Sequence, residues 1–402
     1  MVKRFEVLIL GGGSGGISVA SRLVRVLGSG SVGIVEPSDT HFYQPLWSLV
    51  GAGQAKKEES AKPMSQVIPQ GAEWIRDSVV KVLPEQNQVL LKGGDTLAYE
   101  FLVVATGLQL NWEKIPGIAG RIGQSGICSI YEYHQAERTF QMFREFQGGD
   151  AYFIMPPVPI KCAGAPQKIM YLFDDLMRQW GRRDQVRITY VTASQAIFGI
   201  PVFAQALERI RQEKNITVWF GHRLEQVDPD QRTVTFIVTS PSGLVERKTV
   251  KYDLLHVVPT QSAHQYVIES GLAHEEGDHK GWLAVDKYTL QHFRFGNIFG
   301  IGDVTGIPNA KTGAAIRKQA PGVVENILRV KKGLAPKPFY DGYSSCPLVV
   351  GIGKVILAEF GYDGKLMPTF PINPAVPRRS FWFLKKYLLP QLYWKGMLRG
   401  LA

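Results

Sequence analysis

Three cysteines, Cys128, Cys162 and Cys346, are the residues of this chain best suited to redox chemistry, and their odd number leaves at least one thiol unpaired. Cys162 follows Lys161 and precedes a stretch of helical periodicity, Pro166 to Arg178. A cationic neighbour and the free amides of a helix start both favour a thiolate. Its loop, Pro156 to Pro166, is rich in proline and polar, a poor setting for a cysteine acting as a small buried hydrophobe. Cys346 stands where a polar turn, Tyr343-Ser344-Ser345, meets an apolar strand, Pro347 to Val350. Two-cysteine chemistry would need these remote sulfurs within reach of each other, and from the residues alone Cys346 is equally consistent with a structural thiol. Lys168, on the helix after Cys162, is a candidate for stabilising a sulfur anion, although a lysine is by default exposed to solvent. His134 carries an imidazole, a group suited to general acid–base work, and could exchange protons with a thiol. Its neighbours Glu132, Gln135, Glu137 and Arg138 read equally well as a solvated helical face. No acid occurs between Ala163 and Leu172, so the turns after Cys162 supply no carboxylate base.

Such chemistry needs elements that hold an electron carrier beside the sulfur. A strand, Phe5 to Leu10, runs into Gly11-Gly12-Gly13-Ser14-Gly15-Gly16 and then into a helical stretch, Ile17 to Val26. This order is what a dinucleotide fingerprint requires: Gly11 permits the turn, Gly13 lets the backbone approach a pyrophosphate, and Gly16 allows close helix-to-strand packing. A second strand, Ser31 to Val35, ends at Glu36, placed 20 residues after Gly16, where an acid accepts ribose hydroxyls. Farther on, Asn297 to Ile301 reads as a buried strand ending at Gly302, with Asp303 presented at its carboxyl end. Lys311-Thr312-Gly313 then opens a helix whose first amides could face a ring on which negative charge develops. These residues resemble the second FAD motif of the two-dinucleotide-domain flavoproteins, in which the final acid, here Asp303, binds the ribityl chain. Val103 to Gly107, including Thr106 and Gly107, followed by Ile115-Pro116-Gly117, resembles the short crossover motif of the same superfamily.

From about Asp150 the pattern restarts, with strands at Tyr152 to Met155 and Val186 to Val191 around the Pro166 to Arg178 helix. Thr233 to Val238 and Val245 to Val250 read as a hairpin, and Leu254 to Val258 as a further strand. A second nicotinamide site would need closely spaced glycines after the first of these strands. Prolines stand there instead, so this unit is expected to keep the scaffold without binding NADH in the usual way.

The carboxyl end, residues 364–402, holds seven lysines and arginines and no acid, interspersed with Phe370, Phe381, Trp382, Phe383, Tyr387, Tyr393 and Trp394. Phe381 to Leu389 and Gln391 to Leu398, divided by Pro390, are expected to be two short amphipathic helices. They are too short to span a bilayer and suited to lie on one leaflet. A dimer contact, or packing on the protein's own core, would consume the same aromatic residues. The net charge of +11 implies attraction to anionic surfaces. Nothing supports nucleic-acid recognition, and no metal is expected. No apolar run reaches the roughly 18 to 20 residues of a membrane span, and no signal segment is expected ahead of Phe5.

Lys161-Cys162-Ala163-Gly164-Ala165-Pro166-Gln167-Lys168, and Ser345-Cys346-Pro347-Leu348 followed by Val355 to Phe360, resemble the two redox-cysteine segments of the sulfide:quinone oxidoreductase family, in its human-like mitochondrial branch. The likeness runs the whole chain, from His41-Phe42-Tyr43-Gln44-Pro45 to Tyr393-Trp394. The resemblance implies that Cys162 and Cys346 form a disulfide or a longer sulfur bridge beside FAD. Sulfide would attack it, leaving one sulfur as a persulfide and the other as a thiolate able to attack the flavin, with either cysteine in either role. A small thiol, sulfite or a second sulfide would remove the outer sulfur, and the electrons would pass to quinone. Cys128 resembles the additional cysteine of the bacterial branch, which leaves it between an accessory role and a structural thiol. The implied fold is α/β, with two doubly wound Rossmann-like domains of the disulfide-oxidoreductase flavoprotein type plus a C-terminal amphipathic membrane-binding segment. Its expected divisions are a discontinuous FAD-binding domain at 1–112 and 283–335, a second Rossmann-like domain carrying a redox cysteine at 113–282, and a redox-cysteine and membrane- or quinone-binding region at 336–402, with Phe381 and Tyr387 as candidate quinone-pocket residues. The expected setting is a peripheral, monotopic attachment to a prokaryotic plasma membrane or the inner mitochondrial membrane, with a homodimer left open. Competing readings are a membrane-associated NADH:quinone oxidoreductase, a soluble sulfide dehydrogenase and a non-catalytic flavin-bearing membrane adaptor.

Overall fold

The apolar strand Lys3–Leu10 lies at the centre of a sheet, pairing in parallel with Val32–Val35 on one side and Thr96–Val104 on the other. Ala72–Ile75 extends the sheet beyond Val32–Val35. The far edge of Thr96–Val104 is shared: its first residues pair antiparallel with Gln88–Leu91, and its last with the parallel strand Ile298–Gly300. These strands are nearly continuous apolar runs because helices cover the sheet, among them Ser14–Leu27 and Gly313–Lys331. The computed structural model that shows this describes residues 2–402.

A second parallel sheet is ordered Ile127–Cys128, Leu254–His256, Gly149–Met155, Val186–Thr192, Thr217–Trp219. It repeats the doubly wound plan, and the hairpin read from Thr233 and Val245 joins a three-stranded antiparallel sheet beside it. The helix after its Gly149–Met155 strand, Ala165–Gln179, is buried at every residue from Ala165 to Asp174. One cause is the antiparallel hairpin Ser344–Gly351 and Lys354–Phe360, which packs on that helix and is pinned where Ile352 N–H donates to Asp175 Oδ2 at 2.6 Å. Lys168 therefore departs from the exposure expected of a lysine, at 3% exposed.

The tail also departs from expectation. Instead of two helices divided at Pro390, residues 379–399 form one helical run in which α segments alternate with widened π turns at Leu384–Leu388 and Leu392–Gly396. Pro390 follows the first π turn, and its missing N–H leaves a gap in the ladder that the helical path passes without breaking. One face of the run, with Phe381, Lys385, Tyr393, Trp394, Met397 and Leu398, is buried against the protein; the other exposes Phe383, Tyr387, Leu388 and Leu392. Among the described residues no helix is long and apolar enough to cross a membrane.

Candidate active site

The glycine loop has the shape its sequence calls for. Gly11 takes φ +101°, and a Cβ there would stand 2.6 Å from Ala105 O; one on Gly16 would lie 1.9 Å from Gly11 O. Gly13 by contrast faces open space at the start of the Ser14–Leu27 helix, as Gly107 does at φ +67°. Glu36 ends its strand beside this opening, its carboxylate accepting from Gly12 N–H at 2.8 Å and Ser38 N–H at 2.7 Å. Burial raises its pKa, against those two amides. Thr106 Oγ1 and Tyr266 OH hydrogen-bond at 2.9 Å. Gly302, at φ +79°, donates its N–H to Gln319 Oε1 at 3.0 Å, while the buried Gln319 Nε2 has no partner among the described residues. Asp303 offers a carboxylate that joins no side-chain hydrogen bond among the described residues, its pKa raised by burial against the cations Lys311 and Lys161. Lys311 turns its ammonium to the carbonyls of Asp303 (2.7 Å) and Thr305 (2.9 Å), and burial lowers its pKa to about 8. Thr312 caps the Gly313–Lys331 helix, accepting from Ala315 N–H at 3.2 Å. An open cradle of backbone amides with an acid on each side fits a dinucleotide with a ribityl chain.

The cysteine loop is tied directly to this cradle. Lys161 and Lys311 form a β-bridge, and Cys162 N–H donates to Lys311 O at 3.0 Å. Cys162 itself holds φ +50°, a left-handed conformation uncommon for a residue with a side chain. Cys346 reaches the same point from the hairpin: its Sγ would lie 2.8 Å from a Cβ placed on Gly164, so only a glycine leaves room for the two sulfurs to meet. Both are thiols here, near enough for each to shift the ionisation of the other. Lys168 Nζ donates to Cys162 Sγ at 3.3 Å. The Cys346 thiol and, against burial, the ammonium groups of Lys168 and Lys385 hold the Cys162 thiol well below its ordinary pKa. Cys346, beside Cys162 and in a buried position, is held well above. Burial alone would lower the pKa of Lys168, and the two thiols more than reverse this.

Lys385 is the residue that sequence reasoning missed. It is 4% exposed, its Nζ donates to Pro45 O at 3.1 Å, and burial together with Lys168 lowers its pKa to about 7. Lysines in the tail read as headgroup contacts; this one instead faces the protein one turn beyond the buried Phe381, while the adjacent Lys386 is half-buried. Tyr131 OH lies 3.3 Å from the carbonyls of both Lys161 and Cys162, a second neighbour that only the fold reveals.

Other sequence candidates lie apart. Cys128 is buried in its short strand beside Thr139, and burial raises its pKa. His134 is exposed at the start of the Tyr133–Glu145 helix, with its ring against Tyr133. Phe381 is 5% exposed and packs against Phe370, whereas Tyr387 is 49% exposed beside Phe383, so the two face opposite ways.

A dinucleotide cradle joined to a lysine-flanked thiol pair defines a flavoprotein of the disulfide-oxidoreductase type, and residues 5–147 match the pyridine nucleotide-disulphide oxidoreductase family. The chain is 41% identical over 397 residues to the mitochondrial sulfide:quinone oxidoreductase of Dictyostelium discoideum, covering 98% of this chain and 86% of that one. It is likewise 41% identical to that of Mus musculus, with 98% and 87% covered. The solved sulfide:quinone oxidoreductase of Aquifex aeolicus superposes with a TM-score of 0.80 at 20% identity, over 99% of this chain and 92% of that one. The chain belongs to the sulfide:quinone oxidoreductase family.

Proposed function

We propose that this protein oxidises sulfide at the Cys162–Cys346 pair and passes two electrons through FAD to a membrane quinone. The observation that carries the reading is the meeting of two remote sulfurs, with an ammonium 3.3 Å from one of them, on a loop hydrogen-bonded to the Lys311 segment of the cofactor cradle. Gly11, Gly13, Gly16 and Glu36 would hold the adenosine and pyrophosphate end, with Thr106, Gly107, Gly302, Asp303 and Lys311 around the remainder. When bound, the flavin accepts the electron pair released at sulfur and yields it to quinone.

The chain's own residues set the direction of attack. In the oxidised pair, the sulfur that is better stabilised as an anion leaves faster. That sulfur is Cys162, which Lys168 and Lys385 stabilise. Hydrosulfide therefore bonds to the Cys346 sulfur, the S–S bond breaks, and its electron pair stays on Cys162 as a thiolate on the cofactor side. Cys346 keeps a persulfide, whose outer sulfur passes to a small thiol, sulfite or a second sulfide. Cys128 and His134 have no part in this scheme. The sequence divisions 1–112 with 283–335, 113–282 and 336–402 then correspond to cofactor, sulfur-loop and hairpin-plus-tail functions. Phe383, Tyr387, Leu388 and Leu392 would enter one leaflet of a membrane, where quinone resides, as a peripheral attachment. The mitochondrial relatives favour a mitochondrial membrane as that surface.

The test is anaerobic mixing with sulfide. Full flavin reduction, followed by reoxidation with a short-chain quinone, supports the reading, and Cys162→Ser or Cys346→Ser should abolish the cycle. Turnover that persists in either variant, or rapid reduction by NADH instead, would remove it.

A further inference from the structure

The Ser14–Leu27 helix, whose first turn borders the dinucleotide cradle, is gripped by the carboxyl terminus at both ends. Near its far end Ser21 Oγ donates to Leu398 O at 2.5 Å, Arg25 donates to the carbonyls of Arg399 and Gly400, and Arg22 to that of Ala402. At its start a single buried hydroxyl makes the connection. Tyr393 OH lies 2.7 Å from Ser14 Oγ and 2.6 Å from His41 Nε2, and His41 Nδ1 lies 2.9 Å from Gly12 O.

The direction of this relay follows from its last link. A carbonyl oxygen only accepts, so Nδ1 carries the proton. Burial lowers the His41 pKa to about 4, so at neutral pH the ring is uncharged and Nε2 accepts. Tyr393 must then donate to His41, and Ser14 to Tyr393. Holding the Gly12 carbonyl toward His41 has a further effect, because a trans peptide points its N–H opposite to its C=O. The Gly13 N–H is thereby aimed away from His41, and Gly13 is the loop glycine that faces open space.

We propose that Tyr393 is a positioning residue that couples seating of the C-terminal helix to retention of the dinucleotide: a seated tail fixes the loop amides, and a bound dinucleotide in turn holds the tail. The coupling is reciprocal by thermodynamic necessity. It rests on the reading that the glycine loop holds FAD.

The experiment uses holoenzyme of the wild type, of Tyr393→Phe, and of Gln391→Ala at an exposed position of the same run. Each is diluted into FAD-free buffer and flavin release is followed by fluorescence; trypsin cleavage within residues 386–399 is timed with and without added FAD. Loss of one buried hydrogen-bonding hydroxyl should speed release in Tyr393→Phe by about 5- to 30-fold. Gln391→Ala should match the wild type. Added FAD should slow tail cleavage in the wild type and Gln391→Ala and have little effect in Tyr393→Phe. A tyrosine that only stabilised the tail would raise cleavage equally with and without FAD, and that result would overturn the coupling. So would a wild-type release rate in Tyr393→Phe with FAD bound. A preparation that binds no FAD at all would sink the cofactor reading, and the coupling with it.

Discussion

Replacing Lys168 by methionine keeps the unbranched apolar stem and removes the ammonium that lies 3.3 Å from Cys162 Sγ. At an effective dielectric constant of about 20, Coulomb's law gives roughly 5 kcal/mol for unit charges at that separation. This is a ceiling, because an ammonium only 3% exposed has already lost its hydration. A charge-assisted hydrogen bond nets about 1.5–3 kcal/mol. If that stabilisation is realised as Cys162 becomes the leaving thiolate, Lys168→Met should slow flavin reduction by sulfide about 10- to 150-fold. Anaerobic stopped-flow measurement at fixed pH reads the rate. A second readout is the ultraviolet absorbance of the thiolate in the reduced protein. A cation favours the anion, so its removal moves ionisation to higher pH, and the variant's thiolate band should appear at more alkaline pH than the wild type's. A variant with both the wild-type rate and the wild-type titration would refute the assignment of Lys168 to the Cys162 anion.

Gly164→Ala puts a methyl group 2.8 Å from Cys346 Sγ and 2.6 Å from Leu348 Cδ2, so it should retain flavin yet lose reduction by sulfide; full activity would show that the pair tolerates separation. Lys385, with a pKa of about 7, is charged below neutrality and uncharged above it. The rate deficit of Lys385→Met should therefore shrink as pH rises through about 7, and a pH-independent ratio would count against an electrostatic role. His41 and His292, each lowered to about 4 by burial, and His256, lowered to about 3, are neutral in the fold. Unfolded histidine takes up its proton near 6.5, so the stability they contribute is complete above that pH and is lost as pH falls toward 4, by up to about 3 kcal/mol for His41. A Tm unchanged between pH 7 and 4.5 would contradict this. Phe383→Asp with Leu388→Asp should abolish binding to anionic vesicles in a flotation assay while sulfide still reduces the flavin; undiminished flotation would place the membrane contact elsewhere.

Legibility of the sequence followed the range of the interactions. The strand, glycine turn, helix and acid from Phe5 to Glu36 are a local pattern, and the fold reproduces it with small shifts at the ends. The proline loop after Met155 likewise marked a nucleotide fold without its glycines. That Cys346 meets Cys162 came from family resemblance, because no periodicity relates a hairpin to a loop so far away in the chain. Lys168 read as exposed since its own helix gives no sign that a hairpin will cover it. In the tail Lys385 lies one turn after the buried Phe381, but its charge assigned it to solvent, because nothing local shows that the Pro45 carbonyl will receive its ammonium. His41 and Tyr393 were each visible as features of the chain's two ends, but their hydrogen bond is a purely tertiary fact.

The Cys346 hairpin stands at the start of the Ala165–Gln179 helix, with Leu348 and Cys346 against Gly164. In a doubly wound unit that helix start is where a nicotinamide carrier would rest its phosphates. Here that berth is an interior wall, which disfavours a nicotinamide carrier seated there as hydride donor. Glycines placed in the Pro156–Pro159 turn would leave the wall standing, since it comes from a different part of the chain.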